Sequence, residues 1–579
     1  MIIGRVTKID GVRVAATFYT RMQPYLIERG NVVSSPRINS FVKTSVGLDT
    51  VICQIVGEHE AEYDKRSNLG RSDSVAPTGP FIVDLEVRGY ISDGVFQGGL
   101  RCLPLVGAAI ETLEDDSLEH LYSIPSAKPL LIGHSLFDES QSVLLDANKL
   151  MASHIGIFGN TGSGKSNTLA SIIRSFVGFL PANNDKAHIL IFDLNNEYGG
   201  DAIVNADKKE VYCLGSETND VRIPLNLDSL NADNWGTMLR ASQKTQMPII
   251  RRAYFKWCRC DGNDYVNELK RAIVNKRSLT VFTLREYCSN YIMGIEDLCY
   301  NSTSQAFYYP SDNHFEKDKY INTESDIKEI SLKREIDKFH KFYLWLAFEV
   351  AQAAESGTNF EYVQPLLARA RSVISDLDNV FVDTPEKGLG TIFQNRNVAV
   401  IQLGDTGTAI RQMLPSLLSE LILRDAIASK GNKSPQKMTT IVIDEAHNLL
   451  SYDSTRSDLL HDNTLRVFEK IIKEGRKFGV FLCLASQRPS DISSTITSQI
   501  HNYFIHRLVN PNDIDRIRRT VSFMGESSLS MLSMLGQGEC IISGSSLYMP
   551  QYVYINQLDK TARPNSNDII LFGEDGILN

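Results

Sequence analysis

Two glycines, a lysine and a serine stand in the spacing G-x-x-x-x-G-K-S from Gly159 to Ser166. Glycines at those offsets let a backbone fold around a polyphosphate so that successive N–H groups point at its oxygens, and a helix beginning near Lys165 adds the positive end of its dipole. Lys165 would then reach the outer phosphates, and the Ser166 hydroxyl would sit on Mg²⁺. A second constellation lies far along the chain, in Met438-Thr-Thr-Ile-Val-Ile-Asp-Glu-Ala-His447. It reads as an apolar strand ending in two acids, with Asp444 placed to hold Mg²⁺ and Glu445 to act as base or to orient an attacking water. A third is Ser486-Gln487-Arg488-Pro489, at the tip of another apolar strand, where Gln487 can sense a terminal phosphate. Arg476 precedes that strand and so belongs at the opposite edge of the sheet, out of reach of its own nucleotide but within reach of a neighbouring subunit's.

These side chains need a scaffold, and the pattern of apolar runs supplies one. Ile155–Phe158 is the strand that the glycine loop requires, and Thr168–Phe179 the helix that follows it. Val143–Leu145, Ile189–Phe192, Asn397–Gln402, Ile441–Ile443, Val480–Ala485 and Tyr503–Leu508 are further apolar runs, several of them separated by helical segments such as Thr408–Ser429. That alternation predicts a mostly parallel sheet with helices on its faces.

Upstream of it, residues 1 to about 110 read as all-β. Ile2–Ile9, Val12–Thr17, Thr50–Gly57 and Phe81–Ile91 are rich in Val, Ile, Thr and aromatics, and turn residues separate them, including Pro77-Thr78-Gly79-Pro80 and Asp93-Gly94. Short strands at this spacing predict a small barrel. Between the two halves of the α/β pattern, residues 228 to 390 are helical in period. Ile327, Ile330, Ile336, Phe339, Tyr343, Leu346 and Val350 recur at intervals near three and four, the stripe of a bundle core. Residues 301–323 are polar and aromatic without period and read as a loop.

The whole chain sets bounds. At 579 residues it should divide into several domains. Its formal net charge of −9 repels nucleic acid overall, so any nucleic-acid surface must be local. Nine cysteines, scattered and odd in number, suit reduced thiols in a cytoplasm. No apolar run is long enough to span a bilayer, so a membrane role is not expected.

Taken together, HIGIFGNTGSGKSN (154–167), FDLNNEY (192–198), IVIDEAHNLL (441–450), EGRKFGV (474–480), ASQRP (485–489) and LSMLGQGECIISG (532–544) make the chain resemble the HerA branch of the HerA/FtsK family of ring ATPases. The resemblance implies an α/β fold: a RecA-like P-loop ATPase core, an N-terminal β-barrel and an inserted helical bundle. The implied divisions are 1–115 for the barrel, 125–227 and 391–558 for the two parts of the core, 228–390 for the insertion and 559–579 for a tail. It also implies a homo-hexameric, ATP- and Mg²⁺-dependent motor on double-stranded DNA. Its barrel would dock a nuclease or a sirtuin-like effector, as in bacterial anti-phage systems. An alternative is a nucleotide-controlled scaffold that regulates such an effector with little translocation.

Carried over by position, Gly159, Asn160, Thr161, Gly162, Ser163, Gly164, Lys165, Ser166 and Asn167 bind nucleotide, Ser166 and Asp444 hold the metal, and Glu445, Arg476, Gln487 and Glu197 act in hydrolysis. Asp193 and Glu197 match an Asp-x-x-x-Glu-Tyr element that usually has Pro-His-Gly between its acids; here Leu194-Asn195-Asn196 replaces it. Loops that a ring pore could present are Asp207–Lys209 and Ser454–Asp462. The tetrapeptide Asp444–His447 also occurs in two-lobed DEAH-box helicases, but the long helical segment between Lys165 and Asp444 does not fit their compact first lobe.

Overall fold

Alternating apolar residues close the first hundred residues on themselves. In the computed structural model β1 (Ile2–Asp10), β2 (Arg13–Phe18), β3 (Phe41–Val46), β4 (Asp49–Glu60), β5 (Phe81–Ser92) and β6 (Ala109–Thr112) pair antiparallel in the order β1-β2-β5-β4-β3-β6 and back to β1. The closing rung is the pairing of β2 with β5, from Arg13 opposite Glu86 to Thr17 opposite Ile82. Val6, Val14, Ala16, Val51, Cys53, Ile55, Val83 and Leu85 fill the interior, and Phe41, Ile52 and Phe96 point out onto the next layer. Closure pairs each of these six strands on both sides, while a seventh strand, Val95–Gly98, pairs only with the end of β5.

The structure describes residues 1–565 apart from 20–24, 29–30, 48, 61–80, 93–94, 114–120, 123, 125, 182–185, 216–220, 311–318, 334–335, 387, 432–436, 452–458 and 522–525. The turns expected at Pro77–Pro80 and Asp93-Gly94, most of the loop at Ser454–Asp462 and the end of the 559–579 tail lie outside the described residues.

The second sheet has eleven strands. In chain order they are β7 (Pro129–Ser135), β8 (Ser142–Asp146), β9 (Ile155–Phe158), β10 (Ala187–Asp193), β11 (Lys209–Cys213), β12 (Val398–Gln402), β13 (Met438–Ile443), β14 (Val480–Ser486), β15 (Asn502–Ile505), β16 (Glu539–Gly544) and β17 (Gln551–Ile555). They lie in the order β8-β7-β17-β16-β15-β9-β14-β13-β10-β12-β11. From β15 to β11 the seven strands are parallel; β16, β17, β7 and β8 form an antiparallel wing.

The parallel strands are buried on both faces, which is why they read as unbroken apolar runs. Leu190, Phe192, Ile441, Ile443, Leu482 and Leu484 face one core; Ile189, Ile191, Val442, Cys483 and Ala485 face the other. The second core is covered by α1 (Lys165–Gly178) through Leu169, Ile172 and Ile173, and by Phe41, Ile52 and Phe96 of the barrel.

The first core is covered by helices from the middle of the chain and by α8 (Thr408–Lys430) and α9 (Leu459–Glu474). The middle helices are α2 (Ala232–Met238), α3 (Met247–Arg259), α4 (Gly262–Val274), α5 (Ser278–Cys288), α6 (Lys338–Glu355) and α7 (Phe360–Val380). A short parallel pair, Ile223–Leu225 beside Phe381–Asp383, brackets them. Trp235 stacks on Phe342 at 3.7 Å between ring centroids, fastening α2 to α6.

Two readings of this middle segment need correction. Phe339, Tyr343, Leu346 and Val350 are buried on α6, but that helix starts only at Lys338, where Asp337 caps it by accepting from the His340 N–H. Ile327, Ile330 and Ile336 precede it; Ile330 is buried beside the two-residue strand Ser331–Leu332, which pairs with Ile292–Met293. Residues 301–323 are not all loop either: Cys299–Asn301, Ala306–Tyr309 and Lys319–Tyr320 form a small antiparallel meander. Strands this short contain too few residues for an alternation to show.

Candidate nucleotide site

The candidate side chains for phosphate, metal and water, Lys165, Ser166, Glu197, Asp444, Glu445 and Gln487, gather at the C-terminal ends of the parallel strands, and Arg476 does not. The loop after β9 is shaped by Gly159, Gly162 and Gly164, with φ of +158°, +72° and +112°. At Gly159 a Cβ would also stand 2.5 Å from the His506 side chain, so no other residue fits there. The Asn160 N–H donates to the Arg507 carbonyl (2.8 Å), and the Ser163 hydroxyl donates to the Asn160 carbonyl (2.7 Å). No side chain caps α1, whose N-cap residue is Gly164. Its first-turn N–H groups therefore point into the loop, as an anion site requires.

Lys165 is buried, and burial lowers its pKa, opposed by Glu445, Asp444 and Glu197. Its ammonium donates to the Asn160 carbonyl (3.2 Å), and among the described residues it has no ion-pair partner. A buried cation held by one carbonyl is poised for an anion from outside.

Underneath, His506 is fully buried with Nδ1 2.9 Å from the Glu539 carbonyl and Nε2 2.9 Å from the Thr168 hydroxyl. A carbonyl only accepts, so Nδ1 carries the proton and Nε2 accepts from Thr168. Burial lowers this pKa to about 4. Sequence reasoning missed His506, because nothing in its surroundings marks a histidine that touches the loop from below.

Asp444 follows β13 and is almost wholly buried; burial pushes its pKa up to about 6, opposed by a hydrogen bond from Tyr198. The Tyr198 hydroxyl donates to Asp444 Oδ2 at 2.6 Å, and the Glu445 N–H donates to Oδ1 at 2.9 Å. Glu445 sits in the left-handed region at φ +48°. Its Oε1 accepts from Gln487 Nε2 (3.1 Å), whose own Oε1 accepts from the Thr161 hydroxyl (2.5 Å). Gln487 thus bridges the phosphate loop and Glu445. Glu445 Oε2 lies 3.3 Å from His447 Nδ1.

Asp193, at the end of β10, accepts from the N–H groups of Glu197 (3.0 Å) and Tyr198 (2.9 Å), which folds 193–198 into a tight loop. Asn196 adopts φ +61° in that loop, and its side chain accepts from the Gly404 N–H at 2.9 Å. It occupies the position where the resembling element has glycine. Asparagine tolerates the left-handed region, so the departure keeps the turn. Burial raises the pKa of Glu197, with the nearby Asp444 adding to it, and its buried Oε2 has no hydrogen-bond partner among the described residues.

Arg476 lies in a short 3₁₀ turn (Gly475–Phe478) ahead of β14, exposed, and its charge is felt by His154 and His501 at the opposite edge of the sheet. Asn167 is committed elsewhere: its side chain donates to the Asn556 carbonyl (3.1 Å) and accepts from the Leu558 N–H (3.2 Å). Lys209 differs from the expectation of a pore-facing loop. It is buried, and its ammonium donates to the carbonyls of Tyr198 (2.7 Å) and Ala202 (2.6 Å).

Among the described residues no cluster of three or more His, Cys, Asp and Glu side chains forms a protein-only metal cage. The donors present, Ser166, Asp444 and the unpartnered oxygen of Glu197, suit a Mg²⁺ that keeps waters and phosphate oxygens as its other ligands. Among the described residues no helix is long and apolar enough to cross a membrane.

A glycine loop leading into an uncapped helix, a carboxylate strand and a glutamine strand tip, all at one edge of a parallel sheet, define a P-loop nucleotide-binding protein. Residues 130–405 match the family model described as "Helicase HerA, central domain", and the chain is similar in sequence to proteins named as HerA helicases. It is 26% identical over 82% of its length to a protein of Methanocaldococcus jannaschii named "Probable helicase MJ1565", covering 76% of that protein. To the DNA double-strand break repair helicase HerA of Sulfurisphaera tokodaii it is 24% identical over 79% of this chain and 74% of that one. The structure of plasmid coupling protein TrwB in complex with ADP and Mg²⁺ aligns over 79% of this chain and 94% of its own, with 12% identity and a TM-score of 0.45.

Proposed function

We propose that this chain is an ATP-hydrolysing DNA translocase or helicase that works as a ring of six copies. The observation that carries the reading is the convergence of Lys165, Asp444, Glu445 and Gln487 at one edge of the sheet, where Gln487 ties Thr161 of the loop to Glu445 by hydrogen bonds. The loop from Gly159 to Ser166 cradles the triphosphate, with Asn167 contributing backbone only. Ser166 and Asp444 hold Mg²⁺, which would draw charge from the phosphate oxygens. Glu445, aimed by Gln487, orients and deprotonates the attacking water, and Lys165 balances charge on the outer phosphates. Glu197, against the metal side of the site, helps order its water. Arg476 faces away from its own nucleotide and serves the next subunit's. The divisions 1–115, 125–227, 228–390 and 391–558 describe the working parts, with the barrel docking a nuclease or sirtuin-like effector in the cytoplasm.

Relatives named as DNA double-strand break repair helicases support a DNA substrate. The net charge of −9 favours a second reading, in which nucleotide state controls a docked effector with little movement on DNA. ATPase assays with and without duplex DNA separate the two. A translocase is stimulated by duplex, and the stimulation falls steeply as salt rises; a rate indifferent to DNA leaves only the scaffold. Lys165→Ala abolishes turnover in either case, and hydrolysis retained in that variant overturns both.

A further inference from the structure

Asp444 owes its orientation to a side chain 246 positions away in sequence. Tyr198 is fully buried, and its hydroxyl donates to Asp444 Oδ2 at 2.6 Å while the Glu445 N–H occupies Oδ1. With a fixed donor on each oxygen, the carboxylate cannot turn about its Cβ–Cγ bond without breaking one of them. Each oxygen keeps a further lone pair for a ligand.

Tyr198 is itself tied down on both sides. Its N–H donates to Asp193 Oδ2 (2.9 Å), and its carbonyl accepts from Lys209 Nζ (2.7 Å). Lys209 also donates to the carbonyls of Ala202 (2.6 Å) and Gly199 (3.3 Å), so one buried ammonium gathers three carbonyls of the 198–202 turn. A lysine buried without a carboxylate in contact is costly. Its position on β11, two strands beyond β10 at the sheet's edge, gives it no approach to the phosphate loop, so holding this turn is what it does.

We propose that Tyr198, anchored by Lys209, is a positioning residue that sets the face Asp444 presents to the divalent cation accompanying the nucleotide. The proposal rests on the reading of Asp444 as a Mg²⁺ holder. It assigns Lys209, on sequence grounds a candidate for a pore loop, to the support of the metal side of the site.

Tyr198→Phe removes one oxygen and keeps the ring that fills the core. The experiment is equilibrium binding of a fluorescent ADP analogue to the full chain, in EDTA and across a Mg²⁺ titration, with a melting curve on each protein. Affinity in EDTA is expected to match wild type, while the Mg²⁺ concentration at half-effect rises about tenfold, as when an outer partner of a metal ligand is removed. A Tyr198→Phe protein with wild-type melting and a wild-type Mg²⁺ midpoint overturns the inference. Should that variant fail to fold, Lys209→Gln carries the test: its midpoint must rise in the same direction, and an unchanged one overturns the proposal equally. Asp444→Asn separates the two levels. If it leaves the Mg²⁺ midpoint untouched, the reading of Asp444 itself fails; if it shifts the midpoint and Tyr198→Phe does not, only the role of Tyr198 fails.

Discussion

Glu445 holds a backbone conformation that its side chain disfavours, and the strain can be measured. At φ +48° an ordinary L-residue sits about 1–2 kcal/mol above its helical alternative. Replacing Glu445 by alanine or by glycine removes the same contacts, the Gln487 hydrogen bond and the approach of His447. The two variants then differ only in backbone terms. Alanine keeps the strain; glycine loses it but gives up roughly 0.5–1 kcal/mol through its freer unfolded chain. The balance leaves Glu445→Gly more stable than Glu445→Ala by about 0.5–1 kcal/mol, or a melting shift of about 1 °C for a unit of several hundred residues. Ala428, exposed on α8, supplies the opposite sign: there Ala428→Gly loses about 1 kcal/mol. Differential scanning calorimetry on the three variants without nucleotide gives the comparison, and ATPase assays should find both Glu445 variants inactive. A Glu445→Ala protein as stable as Glu445→Gly, or more so, would refute the reasoning. Strain at the residue that addresses the water would then not be part of the native state's cost.

Three more outcomes can be checked. Mixing Arg476→Ala subunits with Glu445→Gln subunits should restore some ATPase at interfaces that pair an intact arginine with an intact glutamate; rings that form without restored activity count against a role in trans. His506, with its pKa lowered to about 4 from an unfolded value near 6.5, stabilises the fold fully above pH 6.5 and loses that contribution as pH falls toward 4. The loss should reach about 2 kcal/mol by pH 5, and the difference in urea-unfolding free energy between wild type and His506→Asn should shrink between pH 7.5 and pH 5; a constant difference contradicts the buried neutral histidine. Gly133 of β7 would place a Cβ 2.0 Å from the Tyr554 carbonyl of β17, so Gly133→Ala should cost at least about 1–3 kcal/mol of stability while leaving the phosphate loop's residues in place. Wild-type melting in that variant would show that the strand pairing is wrong.

The parallel strands were legible because burial on both faces writes them as apolar runs: Ile155–Phe158 needed no adjustment, and Ala187–Asp193 extends the expected run by only a few residues. The antiparallel wing was not, since Pro129–Ser135 and Gln551–Ile555 alternate only partly and their pairing spans most of the chain. Closure of the barrel through β2 and β5 is likewise a long-range fact. In the site, Lys165, Asp444, Glu445 and Gln487 could be found because loops after parallel strands of one sheet must converge. Tyr198 and His506 could not, because a hydroxyl or imidazole that supports a carboxylate or a loop from behind has no spacing of its own. Lys209 misled: a basic pair after a turn reads as solvent-facing until three carbonyls are found around its ammonium.

The short pair Ile223–Leu225 and Phe381–Asp383 makes the helical segment look like a cassette that enters and leaves by one gate. Yet Trp235, Phe342, Leu346 and Leu367 belong to the same apolar cluster as Leu190, Phe192 and Ile443 of the sheet. The segment could therefore not be swapped between relatives as an independent part. A volume change on either side of that shared layer is felt by the other, so the helices and the strands that carry Asp193 and Asp444 stand or fall as one cooperative unit.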